Sequence, residues 1–330
     1  EEVQVESETV RWLLEEENPS VRYYALRDLL SRPGEDAEVE SARRDIMRQG
    51  AVPLLLERLR EADSVQLPRF YTAKYTGLVW TLIVLAELGA ERNEQISELC
   101  EYVFTYAQET RDGGFAMHTA VRTGGGRISE VIPCLTGNMV WALIRLGYLD
   151  DPRLQTSIDW LTTFMRLNDG VEADPQVAPY DRYEMCWGTH TCLMGVVKAL
   201  KALSAIPVER RSAQVDRTIG ELVEFLLIHH VHKRSHDPAR VSKPGWRQFS
   251  FPLMYQTDVL EILDILVGLG VADDRMSEAL DLVAAKEDPD GRWRMDNPYA
   301  TERLLVPFDA KGEPSKWITL RALRVLRSGE

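Results

Sequence analysis

Asn138-Met139-Val140-Trp141-Ala142-Leu143-Ile144-Arg145-Leu146-Gly147, wound as a helix, is apolar around nearly its whole circumference. A helix of that kind belongs inside a protein. The closing glycine suits a helix C-cap. Asp150-Asp151-Pro152 follows, placing acids and an early proline where a second helix begins. That helix, Leu154 to Met165, has Ile158, Leu161 and Met165 on one face only. It reads as an outer helix laid against an inner one.

The hairpin recurs. Leu88-Gly89, Leu146-Gly147 and Leu269-Gly270 each close an apolar run, spaced by roughly 60 residues and then by roughly twice 60. The intervening copy falls at Leu203-Ser204, where Ala205-Ile206-Pro207 ends another helix. A second marker runs in phase: Asp112-Gly113-Gly114-Phe115, Asp169-Gly170 and Asp290-Gly291-Arg292-Trp293 each follow an outer helix. No long window alternates β-branched and polar residues, so the fold class is all-α. Residues 1–65 differ. Ser20 to Leu30 and Ala51 to Leu59 read as a HEAT-like helical pair around Arg32-Pro33-Gly34-Glu35. They open the same single domain, 1–330, whose repeats occupy 66–330. Ser315 to Leu326 is a lone last helix that an N-terminal one would complete. Two helical layers at this period form either an open solenoid or a closed ring.

The 330 residues are 45% hydrophobic and 28% charged, which is ordinary globular composition. The net charge of −13 argues against nucleic acid or an anionic membrane as partner. No apolar run reaches the roughly 18 residues of a membrane span, and the first eight residues show no secretory signal. Four cysteines, Cys100, Cys134, Cys186 and Cys192, are too few for a disulfide scaffold and point to reduced thiols in a cytoplasmic protein.

Gln108-Glu109-Thr110-Arg111-Asp112-Gly113-Gly114-Phe115, with its looser copy Lys286-Glu287-Asp288-Pro289-Asp290-Gly291-Arg292-Trp293, resembles the repeat motif of protein prenyltransferase β subunits and squalene cyclases. The resemblance covers roughly residues 70 to 327. It implies an α/α toroid of helical hairpins with a central cavity. In the prenyltransferases the Gly-Gly-Phe turn precedes a zinc-ligand Cys at the start of the next inner helix, the place of Cys134. The family's Asp ligand two residues earlier is Ile132 here, and His190 lies about two residues from the family's His. The acidic Asp-x-Asp-Asp signature of squalene-type cyclases is absent.

Thiolate and imidazole are the usual zinc ligands, and Cys186 and His190 are four apart, on one face of a continuous helix. Cys134, Cys186 and His190 are therefore the expected zinc ligands, with Asp181 or Asp258 as substitutes and Cys192 and Cys100 as core. Asp258, in an otherwise apolar inner helix, is expected to be a general base or to support the metal, against a structural ion pair. Tyr255, three residues earlier, is a proton donor or a packing aromatic. The basic segment His229 to Gln248 and the loop Arg122 to Arg127 would steer an anionic substrate. Trp246, Arg247 and Lys316 are the expected substrate contacts. The histidines at 229, 230, 232 and 236 show no ligand spacing. Neither a P-loop nor a Gly-x-Ser-x-Gly elbow occurs.

Three functions follow. One is a zinc hydrolase acting through metal-bound water on an ester or phosphoester-like anionic substrate. The second is an isoprenoid-diphosphate-binding or prenyl-transfer enzyme, with Trp80, Trp141, Trp187 and Trp246 lining an apolar cavity. The third is a non-catalytic helical scaffold for protein partners.

Overall fold

The computed structural model describes residues 7–61, 69–299 and 303–327. The expected boundary between 65 and 66 lies outside them. The chain is mostly helical. Its N-terminal part holds α1 (Glu8–Leu13), α2 (Pro19–Tyr24), α3 (Ala37–Ile46) and α4 (Ala51–Glu61). The helix expected over Ser20 to Leu30 is α2 continued as a π-helical turn, Ala25–Leu29. The pair partner of α2 is α3, which lies beyond the Pro-Gly break.

Four hairpins follow: α5 (Leu78–Glu87) with α6 (Glu94–Tyr106), α7 (Pro133–Arg145) with α8 (Pro152–Phe164), α10 (Leu193–Ser204) with α11 (Ala213–Ile228), and α12 (Val259–Gly268) with α13 (Ser277–Ala284). A four-residue helix, α9 (Glu184–Trp187), precedes α10, and α14 (Lys316–Arg327) ends the series. In the first helix of each pair most residues are buried, nearly all of them in α5, from Leu78 to Ala86. In the second only a stripe is, as with Ile96, Cys100, Val103 and Phe104 of α6. Inner packs on inner in sequence: α5 on α7, α7 on α10, α10 on α12, α12 on α14. The lone α14 packs on α2 and α1, so the N-terminal helices meet the last repeat.

The repeat markers have defined tasks. Gly89, Gly147 and Gly270 all take positive φ just after an inner helix, a conformation that costs other residues roughly 1–2 kcal/mol. Each Asp-Gly turn is tied to the following inner helix through a threonine. The Phe115 amide donates to Thr136 Oγ1 at 3.0 Å, and the Trp293 amide to Thr319 Oγ1 at 2.9 Å. In the middle repeat the Asn168 amide donates to Thr191 Oγ1 at 2.8 Å, just before α10.

The all-α expectation needs one amendment: β1 (Lys233–Arg234) and β2 (Asp237–Val241) form a small antiparallel hairpin within the basic segment. Among the described residues no helix is long and apolar enough to cross a membrane.

Candidate functional site

The inner helices all start at one end of the molecule's interior and finish at the other, because an outer helix brings the chain back each time. Cys134 is the second residue of α7, as expected. Burial, with Cys186 and Cys192 nearby, pushes its thiol up to about 12, and burial likewise raises Cys186 to about 12. Both are neutral thiols near neutral pH, poor as metal ligands or nucleophiles without a further charge. Cys192, expected in the core away from these two, is the N-cap of α10 and completes the thiol group. Tyr255 also lies at this end. Lys74 Nζ stands 4.3 Å from the centre of its ring, 5.2 Å from that of Tyr71 and 5.8 Å from that of Trp80. Burial first, then the neighbouring thiols and Tyr255, raise the Tyr71 hydroxyl.

His190 does not join the cysteines. The helix expected to carry Cys186 and His190 on one face stops at Trp187, and Gly188 turns the chain away. His190 is mostly exposed, with Nδ1 3.6 Å from Asp169 Oδ1. Among the described residues no three His, Cys, Asp or Glu side chains are arranged to hold a metal. Cys134, Cys186 and His190 therefore do not fit the zinc that the resemblance implies. The substitute ligands do not complete the set: Asp181 is exposed, in the loop before α9, and Asp258 is committed to backbone amides.

Asp258 is not inside a helix, because Pro252 keeps 251–257 irregular and α12 begins at Val259. The residue is the N-cap. Its carboxylate accepts from the Glu261 amide at 2.7 Å and the Ser250 amide at 3.0 Å. Burial, partly opposed by those amides, raises it to about 7. Trp246 is buried, whereas Arg247 beside it is exposed. Lys316 pairs with Glu15 at 2.7 Å and lies over Trp12.

Where α5, α7, α10 and α12 finish, a cavity of about 370 Å³ opens, lined also by α2 with its π-helical turn and by α14 from Trp317 to Arg324. Its aromatic lining is Tyr24, Trp141 and Trp317, and its cations are Arg27, Arg145, Lys201, Arg321 and Arg324. These five face three carboxylates, and all three are taken: Glu87 by Lys201 (2.6 Å) and Arg321 (2.8 Å), Asp264 by Arg324 on both oxygens, Asp28 by Arg324. Arg145 donates to the Tyr24 hydroxyl and Arg27 to that of Tyr23. Among the described residues neither makes a salt bridge to a carboxylate.

The network continues inward. Lys198 Nζ meets both oxygens of Glu261, at 2.9 and 2.7 Å, and Lys201 bridges Glu261 (3.0 Å) to Glu87. Lys198 is 1% exposed and Glu261 2%, so each needs the other. Burial pushes Glu87 up, but Arg321 and Lys201 outweigh it and hold the carboxyl at about 2. Burial lowers Lys198, with Glu261 opposing. Lys201 also sits 3.9 Å above the centre of the Trp141 ring.

No protein-family model matches this chain, and no curated protein is significantly similar to it.

Sequence reasoning selected Asp258 as the charged residue in an apolar helix and passed over Glu87, Lys198, Lys201, Glu261 and Arg321. The same signal marks all five: an ionisable residue within a run that is otherwise buried. It also set aside His229 and His236, which join His190 around Asp169. They come from separate segments, so no spacing rule would collect them.

Proposed function

We propose that the chain is an α/α ring that binds a small anionic ligand at the finishing ends of its inner helices. The observation that carries this reading is the cavity whose three carboxylates are all engaged while Arg27 and Arg145 rest on tyrosines, Tyr23 and Tyr24, through hydroxyl and ring, and pair with no carboxylate among the described residues. That local positive surplus lies in a chain of net charge −13. Part of it offsets the carbonyl ends of the inner helices, which bring partial negative charge to the same place. Tyr24, Trp141 and Trp317 line the cavity as rings already packed, Trp141 under Lys201 and Trp317 on Phe251, so the cations rather than the rings carry recognition. Ring closure is supported by the Arg321–Glu87 pair, which joins the last inner helix to the first.

The lining contains neither thiol nor imidazole, so the reading is binding, with no reaction attached. The donors that hydrolysis by zinc-bound water would need at Cys134, Cys186 and His190 do not converge. An isoprenoid diphosphate is favoured less than a compact anion. Its apolar tail would have to lie over Lys201, Glu87 and Arg321 and strip them of water.

Calorimetric titration at low ionic strength with inorganic phosphate, diphosphate and farnesyl diphosphate tests this on wild type and Arg145→Ala. Diphosphate should bind wild type and weaken by about tenfold to 100-fold in the variant, one charge-assisted contact being worth roughly 1.5–3 kcal/mol. Absence of binding by any of the three, or equal binding by the variant, would leave the scaffold reading in its place. Tighter binding of the farnesyl compound than of diphosphate would favour the isoprenoid reading.

A further inference from the structure

Away from the cavity, three imidazoles surround one carboxylate. Asp169, in the Asp-Gly turn after α8, has His236 Nε2 at 3.2 Å, His229 Nε2 at 3.4 Å and His190 Nδ1 at 3.6 Å. Ser235 Oγ also donates to its Oδ2. These side chains come from four places: the turn after α8, the segment entering α10, the C-cap of α11 and the β1–β2 turn.

His229 is the informative member. It is 6% exposed, and its Nδ1 lies 2.7 Å from the Phe225 carbonyl oxygen. A carbonyl only accepts, so Nδ1 carries the proton and donates it. In the neutral ring Nε2 is then a bare lone pair, and it points at Asp169 Oδ1, another acceptor. Two acceptors face each other unless a cation lies between them. An Nδ1–H held by a backbone carbonyl, with Nε2 turned outward, is also how metal-ligating histidines are fixed.

We propose that Asp169, His190, His229 and His236 form a binding site for one divalent transition-metal ion of the zinc type. Imidazole and carboxylate are suitable donors for such an ion. Four donors at zinc bond lengths stand about 3.4 Å apart at the corners of a tetrahedron. The separation from Asp169 Oδ1 to His229 (3.4 Å) matches that value, and those from Oδ1 to His190 (3.6 Å) and from Oδ2 to His236 (3.2 Å) bracket it. As placed, the donors centre on the carboxylate and no three share an open point. The closing movement belongs to His190 and His236, whose side chains are 67% and 68% exposed and turn at small cost. His236 would give up its 2.8 Å bond to the Asp169 carbonyl. With four protein donors the ion fastens the hairpin and the end of α11 to the Asp-Gly turn, a structural task.

The test uses the full chain, stripped with chelator and titrated at neutral pH with Co²⁺ and Zn²⁺ alone. Binding is read from the visible bands of Co²⁺ and from the unfolding temperature with Zn²⁺. One ion per chain is expected. The double variant His190→Ala/His236→Ala changes two exposed residues, so its fold should persist while affinity falls about 100-fold or more. His118→Ala, whose ring pairs with Glu130, should bind as wild type does. No saturable binding, or undiminished binding in the double variant, overturns the proposal. So does an NMR spectrum in which the His229 ring nitrogens keep their shifts when Zn²⁺ is added, because the ion then leaves Nε2 untouched.

Discussion

The two ends of the inner helices are both rich in aromatic rings, yet they handle charge in opposite ways. At the starting end the charge is sparse: Lys74 sits over Tyr255, Tyr71 and Trp80, and Asp258 is folded back onto two backbone amides. At the finishing end five cations and three carboxylates surround an open volume, above the buried Lys198–Glu261 pair. The difference follows from what each end must satisfy. Starting ends expose amides; the Asp258 carboxylate satisfies one on α12 and the Ser315 hydroxyl one on α14, while α5, α7 and α10 begin without a side-chain cap. Finishing ends expose carbonyls, which cations complement, and cations on long side chains reach across to one another's carboxylates.

The largest effect should come from the network. Glu261→Gln leaves Lys198 buried without a carboxylate and should cost about 3–5 kcal/mol in urea unfolding. A cost below about 1 kcal/mol would mean that the finishing end does not depend on the pair.

Asp258 should show its burial through pH. Its folded value of about 7 lies above the ordinary 3.8, so ionisation is disfavoured in the folded state. Its contribution to stability is complete below about pH 4 and is lost as pH rises through 7. Asp258→Asn cannot ionise. Its stability relative to wild type should therefore improve from pH 4 to pH 7, followed by denaturant midpoints. A flat difference would show that the two amides fully offset the burial.

Lys74→Met removes the cation and leaves the rings, and should cost about 1 kcal/mol or less. A larger loss would make the starting end as charge-dependent as the finishing one. Arg145→Ala should change stability least, within about 0.5 kcal/mol, since its side chain is exposed and holds no carboxylate. A costly Arg145→Ala would assign that side chain to holding Tyr24 rather than to a ligand.

Much of the architecture was legible because periodicity and punctuation are local. The Leu-Gly and Asp-Gly markers placed three inner-helix ends and three turns, and the apolar runs told inner helices from outer. α3 went unseen, because its charged residues outnumber its apolar ones. The site was far less legible. Cys134 lies where its repeat put it, but the expected helix through Cys186 and His190 stops at Trp187, and the one through Asp258 starts only at Val259. Four-residue spacing means adjacency only inside a helix that exists. Trp246, Arg247 and Lys316 were grouped by charge and position, yet Lys316 is bound to Glu15.

By itself the sequence determined a helical chain of repeated inner and outer pairs, because burial around one helix and its glycine stop are encoded in consecutive residues. Only the tertiary structure decided which charges meet. Glu87 finds Arg321 across 234 positions, Glu261 finds Lys198 across 63, and Asp169 gathers imidazoles from three segments. Each such pairing depends on how neighbouring helices are set against one another, and buried charges accept only partners within hydrogen-bond reach.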